Sequence, residues 1–375
     1  MSLPTRADRH APALAPADTS DAETVDAVLA LVEDTLDELS GQWRALAGDD
    51  APGRGALHTD AILAVLRDFA ATPGKVLRPR MAHWGWVAAG GLDHGRGHGD
   101  LVRVGAALEL LHCFALIHDD VMDAAGTRRG RPSVHAAAGA EHRALDGLGE
   151  PQRYGESIAI LVGDLLHSEA DLLVGELPRP LRAAWRTMAV ELILGQGRDL
   201  VGAANGRCDL AHAQEVARTK SGAYTVWRPL QLGALAGGAG PDLLAVLREY
   251  GRHAGQAFAL RDDVLGVVGD PARTGKPAGD DLIAGKPTVL LALAAERFGP
   301  GRRRELRRIG REPVSAEDVA RLAAELRRCG VIEEVEGLIA ASVLAAERTL
   351  ASPLVDPRAA RGLRRLAGRM AWRES

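Results

Sequence analysis

The sequence predicts an all-α protein, and both its composition and its apolar patterning support this fold class. Apolar residues make up 46% of the 375 residues, but aromatic residues only 3%, so Leu, Val and Ala must fill the core. Ala and Leu favour helices, and β-branched or aromatic runs typical of strands are scarce. Most segments repeat apolar residues at helical spacing and join through short breaks. We therefore expect one large helical domain rather than several small ones.

Charge and cysteine content narrow the class of protein further. Lys and Arg number 46 against 50 Asp and Glu, and this near-balance argues against a nucleic-acid-binding protein. Cys113, Cys208 and Cys329 are widely spaced, with no metal-binding or disulfide pattern, which fits a reducing cytoplasm. The N-terminus lacks an apolar signal segment. No run approaches 18 uninterrupted apolar residues, so we expect no membrane-spanning helix.

The N-terminal segment is predicted to be a disordered tail followed by helices. Residues 1–20 are rich in Pro, Ala and Asp, so the domain should span 21–375. Apolar residues from Val25 to Leu39 recur at the spacing of a first helix. Further helices are predicted over about 59–71, 80–89, 100–125, 133–142, 156–175, from Pro178 or Pro180 through Asp199, then over 209–219, 223–237 and 243–268, with several amphipathic helices from 287 onward.

Histidines near the third predicted helix do not indicate a metal site. His83 lies in that helix, and His94 and His98 lie in a glycine-rich loop. Histidines scattered in this way are more often solvated, and we interpret all three as surface residues.

The segment Leu108–Arg131 carries the first functional pattern, an apolar helix that ends in carboxylates. Asp119 and Asp123 lie one turn apart on one helical face, and His112 lies about two turns earlier on that face. A lone acidic cluster is usually a solvated surface. Here residues 113–117 are apolar nearly all round, as in a buried helix, where unpaired like charges are costly. The pattern therefore predicts magnesium, which prefers oxygen ligands shared with a phosphate.

A second acidic pair and a set of cations extend this prediction. Asp262 and Asp263 follow the apolar run that begins at Gln256, so two apolar helices each deliver an Asp-Asp pair to one multi-metal site in the bundle core. Each basic residue alone would be a surface charge, but together they indicate a second, metal-free anion site. These cations are Lys75, Arg78, Arg128, Arg129, Lys220, Lys276 and Lys286.

The ordered motifs resemble those of the trans-isoprenyl diphosphate synthases, or polyprenyl synthetases, and are most similar to geranylgeranyl diphosphate synthases. The resemblance covers about residues 70–290. It rests on GKVLRP at 74–79, LELLHCFALIHDDVMD at 108–123, TRRGRP at 127–132, GDLL at 163–166, GQGRDL at 195–200, KSGAY at 220–224, FALRDDVLG at 258–266 and GDPARTGKPAGDDLIAGK at 269–286.

This resemblance implies an all-α bundle around a deep central cavity, usually a homodimer, and roles for individual residues. Asp119, Asp123 and Asp262 would hold three magnesium ions on an allylic diphosphate, with Asp120 and Asp263 in the same catalytic set. Residues implied to contact the allylic diphosphate are Arg128, Lys220, Ser221 and Lys276. Residues implied to hold isopentenyl diphosphate are Lys75, Arg78, His112 and Arg129.

The implied reaction joins the two substrates head to tail. The allylic C–O bond ionises as metal and Lys220 stabilise the departing diphosphate, and the cation attacks the isopentenyl double bond. In this family a bulky residue upstream of the first motif forms the bottom of the cavity and limits the length of the product. Phe114, five residues before Asp119, and small Ala115 beside it imply a twenty-carbon product, although Phe114 could instead be ordinary core.

Departures from the family pattern and rival functions remain. The second motif of the family usually ends in Asp, but this chain has Gly266 there. A Gln often follows the Phe of that motif, but this chain has Ala259. Trp227 is unusually large for its position. Rival functions are a longer-chain polyprenyl diphosphate synthase, a non-catalytic partner subunit and a terpene cyclase. The intact acidic residues argue against a non-catalytic subunit, while Lys75, Arg78 and His112 argue against a cyclase.

Overall fold

The chain folds almost entirely into helices, which confirms the predicted fold class. The computed structural model describes residues 21–47, 59–72, 74–207, 209–269, 288–299 and 315–373, together with residues 279, 282, 286, 301, 302 and 306. In chain order the described helices are α1 (Ala22–Ala47), α2 (Asp60–Ala70), α3 (Leu77–Ala88), α4 (Gly91–His94), α5 (His98–Met122), α6 (Val134–Ala144), α7 (Pro151–Gly175), α8 (Arg179–Ala204), α9 (Leu210–Val216), a π-helix (Ala217–Trp227), α10 (Arg228–Ala236), α11 (Pro241–Val268), α12 (Val289–Arg297), α13 (Ala316–Arg328), α14 (Val331–Thr349) and α15 (Pro357–Ala371).

Helix α5 lies at the centre of the larger of two hydrophobic cores. It is apolar on all sides because α1, α3 and α7 pack around it. Leu108, Leu110 and Leu111 are almost completely buried there. By length and composition alone α5 could also cross a membrane, the one such helix in the described chain, but the core helix of a folded bundle meets the same criterion.

The smaller core lies among α11, α12, α13 and α14. Val264 and Val267 of α11 pack there with Leu290 of α12, Leu326 of α13 and Val335 of α14. Helix α11 also packs against the π-helix on one side and against α15. The second acidic motif is therefore carried by a helix that is held from several sides.

The predicted break at Lys220-Ser221-Gly222 is wrong, because the helix continues through it as a π-helix. Residues 217–227 join α9 to α10 without interruption. The widened turn runs against α8, where a Cβ on Gly195 would lie 2.7 Å from the Lys220 backbone nitrogen. π-Helical segments inside α-helices are often found at functional sites, and this one carries Lys220 and Ser221.

Two other local predictions also need correction. The basic loop 126–132 contains a small antiparallel β-ribbon, in which β1 (Thr127–Arg128) pairs with β2 (Arg131–Pro132). His83, interpreted as a solvated residue, is 2% exposed and shares a 2.8 Å hydrogen bond between its Nδ1 and Thr24 Oγ1. The helix around it is buried on nearly every side, which the weak amphipathicity of its sequence did not reveal.

Helix α5 ends sooner than predicted, with consequences for the first acidic motif. Its last residue is Met122, so Asp123 caps the helix rather than lying within it. The Asp123 N–H donates to the Asp119 carbonyl at 2.9 Å, so the two residues remain one turn apart. The predicted tail, residues 1–20, lies outside the described residues.

Candidate active site

Asp119 is the centre of the first acidic motif and is surrounded by cations. Its Oδ1 lies 3.2 Å from Lys220 Nζ, and Arg128 Nη2 lies 3.6 Å from its Oδ2. Gln196 of α8 donates from Nε2 to the same carboxylate at 3.3 Å. Burial alone would raise the pKa of Asp119, but Lys220, Lys286 and Arg128 outweigh it and lower the pKa to about 2. Asp119 is therefore ionised at every physiological pH.

Lys220 is held between two carboxylates. Its Nζ contacts Asp199 Oδ2 of α8 at 2.6 Å in addition to Asp119. Burial would lower the Lys220 pKa, but Asp119 and Asp199 together raise it. Helix α8 and the π-helix thus fix a permanently charged ammonium beside the first acidic motif.

Asp120 faces away from this cluster into the protein, where Arg128 neutralises it. The Asp120 side chain is 1% exposed, and the Arg128 Nε donates to both of its oxygens, at 2.9 and 3.1 Å. A further hydrogen bond joins Arg128 Nη2 to Asp120 Oδ1. Because this arginine belongs to the β-ribbon, the charge of Asp120 on α5 is neutralised only when the ribbon is folded.

The segment after α11 connects the two acidic motifs. Lys286 Nζ reaches Asp123 Oδ2 at 2.6 Å. Three residues later, the Val289 N–H at the start of α12 donates to Asp263 Oδ2 at 2.8 Å. The two bonds place the ends of α5 and α11 within the reach of one short segment, as the facing arrangement of the acidic motifs requires.

Asp262, the other half of the second motif, is paired with a residue that no motif includes. Arg373, beyond the end of α15, donates from Nη2 to Asp262 Oδ1. The Asp262 side chain is about half exposed, at 47%, whereas that of Arg373 is 13% exposed. Asp262 therefore pairs with the Arg373 side chain, whereas Asp263 accepts a hydrogen bond from the backbone at the start of α12.

These residues are chemically suited to magnesium. Asp119, Asp123 and Asp262 offer carboxylate oxygens, the ligands that magnesium prefers, and each is balanced by a side-chain cation. Within the described chain, no three metal-binding side chains are gathered into a ready-made site. Magnesium usually binds one or two carboxylates together with substrate phosphates, so carboxylates that are not gathered into a closed site fit it.

A group of buried polar atoms without partners lies beside α5. Arg78 Nε, Glu109 Oε1, His112 Nδ1 and Tyr224 OH have no hydrogen-bond partner among the described residues. The Arg78 guanidinium lies 4.2 Å from the Tyr224 ring centroid, and its Nη2 donates to Thr225 Oγ1 at 3.0 Å. Since unpaired buried polar atoms are costly, this group is prepared for a polar ligand.

The protonation states in this group are set mainly by burial. Burial, with the charges of Arg78 and Arg129, holds the pKa of His112 well below its usual range, so the ring is neutral. Burial raises the pKa of Glu109, and the same two arginines oppose that rise. A pocket lined by Gly74, Glu109 and His112, among others, opens beside Arg129.

Arg129 lines this pocket, and the exposed Lys75 follows Gly74 of its lining in the chain. Arg129 Nη1 donates to the Thr72 carbonyl at 2.8 Å, and its guanidinium lies so close to Gly74 that a Cβ there would come within 2.5 Å of Nη2. Burial and the charges of Arg373 and Arg129 lower the pKa of Lys75, while Asp262 opposes them. Several cations crowded together in this way indicate a site for an anion.

Phe114 and Ala115 lie in a half-buried band of α5. The Phe114 ring centroid lies 4.6 Å from that of His118 and 4.9 Å from that of His167 on α7. All residues from 112 to 116 are only partly buried, although the apolar residues before and after them are fully buried. This part of α5 therefore borders open space, not the closed core that the sequence suggested.

The departures from the family pattern are explained in part. Ala259 is buried, and Gln256, one turn earlier, is exposed and does not take its place. The Trp227 backbone and ring lie against Gly251 of α11, where a Cβ on the glycine would meet Trp227 at 2.9 Å. Trp227 thus packs between the π-helix and α11. Gly266 is partly exposed on α11, and nothing in the structure explains its replacement of Asp.

Several residues at the site were not predicted as site residues. Gln196 and Asp199 lie in GQGRDL, so that motif was the available signal, whereas Lys286 was already among the cations predicted for an anion site. Glu109 lies one turn before His112 and could have been found by that spacing. No sequence motif marked Arg373 as a site residue. Of the predicted residues, Ser221 lies half-buried beside Lys220, and Lys276 lies outside the described residues.

Comparison with known proteins identifies a family. The sequence model of the polyprenyl synthetase family matches residues 59–326. A geranylfarnesyl diphosphate synthase from Aeropyrum pernix is 33% identical over 272 residues, which cover 70% of this chain and 78% of that protein. A geranylgeranyl diphosphate synthase from Mycobacterium tuberculosis is also 33% identical, over 268 residues and 70% of each chain.

Solved structures agree with the sequence relatives. A geranylgeranyl pyrophosphate synthase from Corynebacterium glutamicum, complexed with isoprenyl diphosphate and magnesium, superposes with a TM-score of 0.84 and 37% identity, covering 93% of this chain and 99% of that one. A polyprenyl synthase from Caulobacter crescentus, complexed with calcium and isoprenyl diphosphate, gives a TM-score of 0.73 and 26% identity, with 94% and 98% coverage.

Proposed function

The chain belongs to the polyprenyl synthetase family and is a trans-prenyl diphosphate synthase, and we propose that it condenses isopentenyl diphosphate with an allylic diphosphate to give geranylgeranyl diphosphate. The relatives do not decide the product, because synthases of geranylfarnesyl and geranylgeranyl diphosphate are equally identical to the chain. The proposal for the product therefore depends on residues of this chain.

The observation that carries the proposal is the pairing of both acidic motifs with basic side chains. Asp119 forms an ion pair with Lys220, and Asp123 forms one with Lys286. Asp262 forms an ion pair with Arg373. A diphosphate that enters with metal ions can exchange these ion pairs for its own, so that carboxylates contact metal and the freed ammonium groups contact phosphate oxygens.

Residues of the chain would prepare the allylic substrate for ionisation. Asp119, Asp123 and Asp262 would hold magnesium, expected as three ions, which would draw charge from the leaving diphosphate. Lys220, oriented by Asp199 at 2.6 Å, would place a positive charge where the leaving oxygen becomes negative. Arg128 lies beside the same carboxylates and would contact the diphosphate. The half-buried apolar band on α5 would shield the allylic cation from water.

The second substrate would occupy the pocket beside Arg129. Lys75, Arg78 and Arg129 would supply positive charge to the substrate, and the neutral His112 would supply a hydrogen bond. Its Nδ1 and Glu109 Oε1 would gain polar partners when isopentenyl diphosphate binds. This arrangement would hold the isopentenyl double bond near the ionising carbon without a metal ion, and diphosphate released in the first step would accept the final proton.

We infer a twenty-carbon product from the placement of Phe114. Its ring bridges α5 and α7 through His118 and His167, about one turn and a half before Asp119. A growing prenyl chain that extends along α5 from the diphosphate would meet this ring. Ala115 leaves the adjacent face open, which favours a chain longer than fifteen carbons. If the ring does not limit the chain, a longer polyprenyl diphosphate is the expected product.

We also propose that the enzyme is a cytoplasmic homodimer. Large apolar side chains are exposed on two neighbouring helices, Ile160 and Leu161 on α7 and Val190, Ile193 and Leu194 on α8. Contiguous apolar surface of this kind is typical of subunit interfaces. Sedimentation equilibrium of the purified protein should give twice the 39.6 kDa chain mass, and a monomer would contradict the dimer.

One elongation experiment tests the proposed function. The purified protein is incubated with magnesium, labelled isopentenyl diphosphate and one of three allylic primers of five, ten or fifteen carbons, and the products are sized. The proposal expects elongation that stops at twenty carbons. Products well beyond twenty carbons would contradict only the proposed role of Phe114 and not the enzymatic function. No elongation with any primer would contradict the enzymatic function, and cyclic hydrocarbons would indicate a terpene cyclase.

A further inference from the structure

The C-terminal residues are fastened onto the second acidic motif by two consecutive residues of α11. Arg261 Nε donates to the Ala371 carbonyl at 2.6 Å, and its other two nitrogens form a fork on Glu336 of α14. The same guanidinium lies 5.7 Å from the Trp372 ring centroid. Arg261 thereby holds the C-terminal end of α15 beside α11.

Arg373 continues this attachment onto Asp262 itself. Its guanidinium carbon lies 4.4 Å from the ring centroid of Phe258, one turn before Asp262 on α11, and its Nη2 donates to Asp262 Oδ1. The Arg373 side chain is only 13% exposed, so it is an ordered part of the site and not a solvated terminus. The residue lies outside the region 59–326 that matches the family model.

We propose that Arg373 is a latch on the second acidic motif, occupying the Asp262 carboxylate in the metal-free enzyme and leaving it before a metal ion binds there. This inference rests on the proposed function, because it takes Asp262 to be a metal ligand. A guanidinium and a divalent cation cannot both approach the same carboxylate oxygen closely, since both are positive. Arg373 therefore competes with the metal and lowers its apparent affinity.

The position of Arg373 distinguishes it from Lys220 and Arg128. Lys220 and Arg128 are held within the π-helix and the β-ribbon, and each contacts a second carboxylate that is not proposed as a metal ligand. Arg373 is attached two residues beyond α15, so it can move away without unfolding a helix. Trp372, 51% exposed and directly before it, would move with it.

Binding of metal and inorganic diphosphate, measured without catalysis, tests the latch. Calorimetric titration of magnesium into protein saturated with inorganic diphosphate should give a dissociation constant about five-fold lower for Arg373→Ala than for the wild type, the effect of losing one partly exposed ion pair. Arg373→Lys retains the competing charge and should bind magnesium like the wild type. Unfolding curves would show whether the substitutions leave the fold intact.

Arg369→Ala is the matched control for general electrostatic repulsion. Arg369 lies on the exposed face of α15, and its charge lowers the pKa of Lys75 as that of Arg373 does, but it makes no contact with Asp262 among the described residues. Its removal should change the magnesium affinity by less than about two-fold, because exposed charges at a distance are screened. If Arg369→Ala and Arg373→Ala changed the magnesium affinity equally, the effect would be one of long-range charge, and the latch would be overturned.

Trp372 supplies a second readout in the wild-type protein. Addition of magnesium with diphosphate should shift the Trp372 emission, and the shift should be absent from Trp372→Phe and already present in Arg373→Ala before any addition. Unchanged or weaker magnesium binding by Arg373→Ala would overturn the latch while leaving the proposed function intact. If the wild type itself bound no magnesium with diphosphate, both the latch and the proposed metal site would be overturned.

Discussion

The buried pair of Asp120 and Arg128 gives a prediction whose size follows from its surroundings. Arg128→Met removes the arginine from a carboxylate that is 1% exposed and accepts hydrogen bonds from Nε and Nη2 of this side chain. Removing one partner of a buried pair leaves an uncompensated charge and costs about 3 to 5 kcal/mol. The free energy of unfolding of Arg128→Met should fall by that amount.

Arg131 in the same β-ribbon provides the matched control. It lies opposite Arg128 in the ribbon and forms a 2.8 Å pair with Asp68, but both side chains are more than half exposed, at 61% and 66%. An exposed pair contributes less than about 1 kcal/mol, so Arg131→Met should change the unfolding free energy little. The comparison separates burial of the pair from any general sensitivity of the ribbon.

Urea unfolding of the single variants and of the double variant Asp120→Asn/Arg128→Met measures the pair directly. The two substitutions should be coupled by about 2 kcal/mol, because the second removes the charge that the first left unpaired. Additive losses, or a loss below 1 kcal/mol for Arg128→Met, would refute the reasoning, since they would mean that Asp120 does not depend on Arg128 in the folded protein.

Three further predictions concern other parts of the structure. Phe114→Ala should lengthen the product beyond twenty carbons, measured by sizing the prenyl chains, and an unchanged length would show that the ring is not the limit. Asp199→Asn should lower kcat by about ten-fold to a hundred-fold because Lys220 loses its orienting partner, and an unchanged kcat would contradict that role. Burial lowers the pKa of His83 to about 4. Below pH 6.5 the unfolded state therefore takes up a proton that the folded state refuses, and stability is lost as pH falls toward 4. His83→Asn should reduce the loss of unfolding free energy between pH 7 and pH 5 by about 2 kcal/mol, and an equal loss in both proteins would contradict it.

The sequence predicted the helical fold because local patterns determine it. Apolar spacing placed α1, α2, α7 and α11 close to their observed positions, since each buries one face against a neighbour. It did not predict the π-helix at Lys220, which packs closely against Gly195 of α8, a contact between segments that residue spacing does not reveal. It also missed the burial of His83, because a helix buried on all sides has no polar face to reveal its orientation.

The site was predictable where chemistry is concentrated in short motifs. Asp119, Asp123 and Asp262 follow apolar helical runs, so their unusual setting was visible in the sequence. Their partners come from distant segments, and residue spacing does not reveal such contacts. The Arg373–Asp262 pair joins residues 111 positions apart, and the Lys286–Asp123 pair joins residues 163 apart. These pairs emerge only once the helices are packed.

The central claim is that the first acidic motif holds the metal ions against which the allylic diphosphate departs. The most direct test is a single-turnover measurement of condensation with saturating magnesium, isopentenyl diphosphate and allylic primer, comparing the wild type with Asp119→Asn. The substitution is nearly isosteric and keeps an oxygen for Lys220, but it removes the charge that a metal ion requires. The account predicts a rate at least about a hundred-fold to a thousand-fold lower. A variant that retained more than about a tenth of the wild-type rate would contradict it.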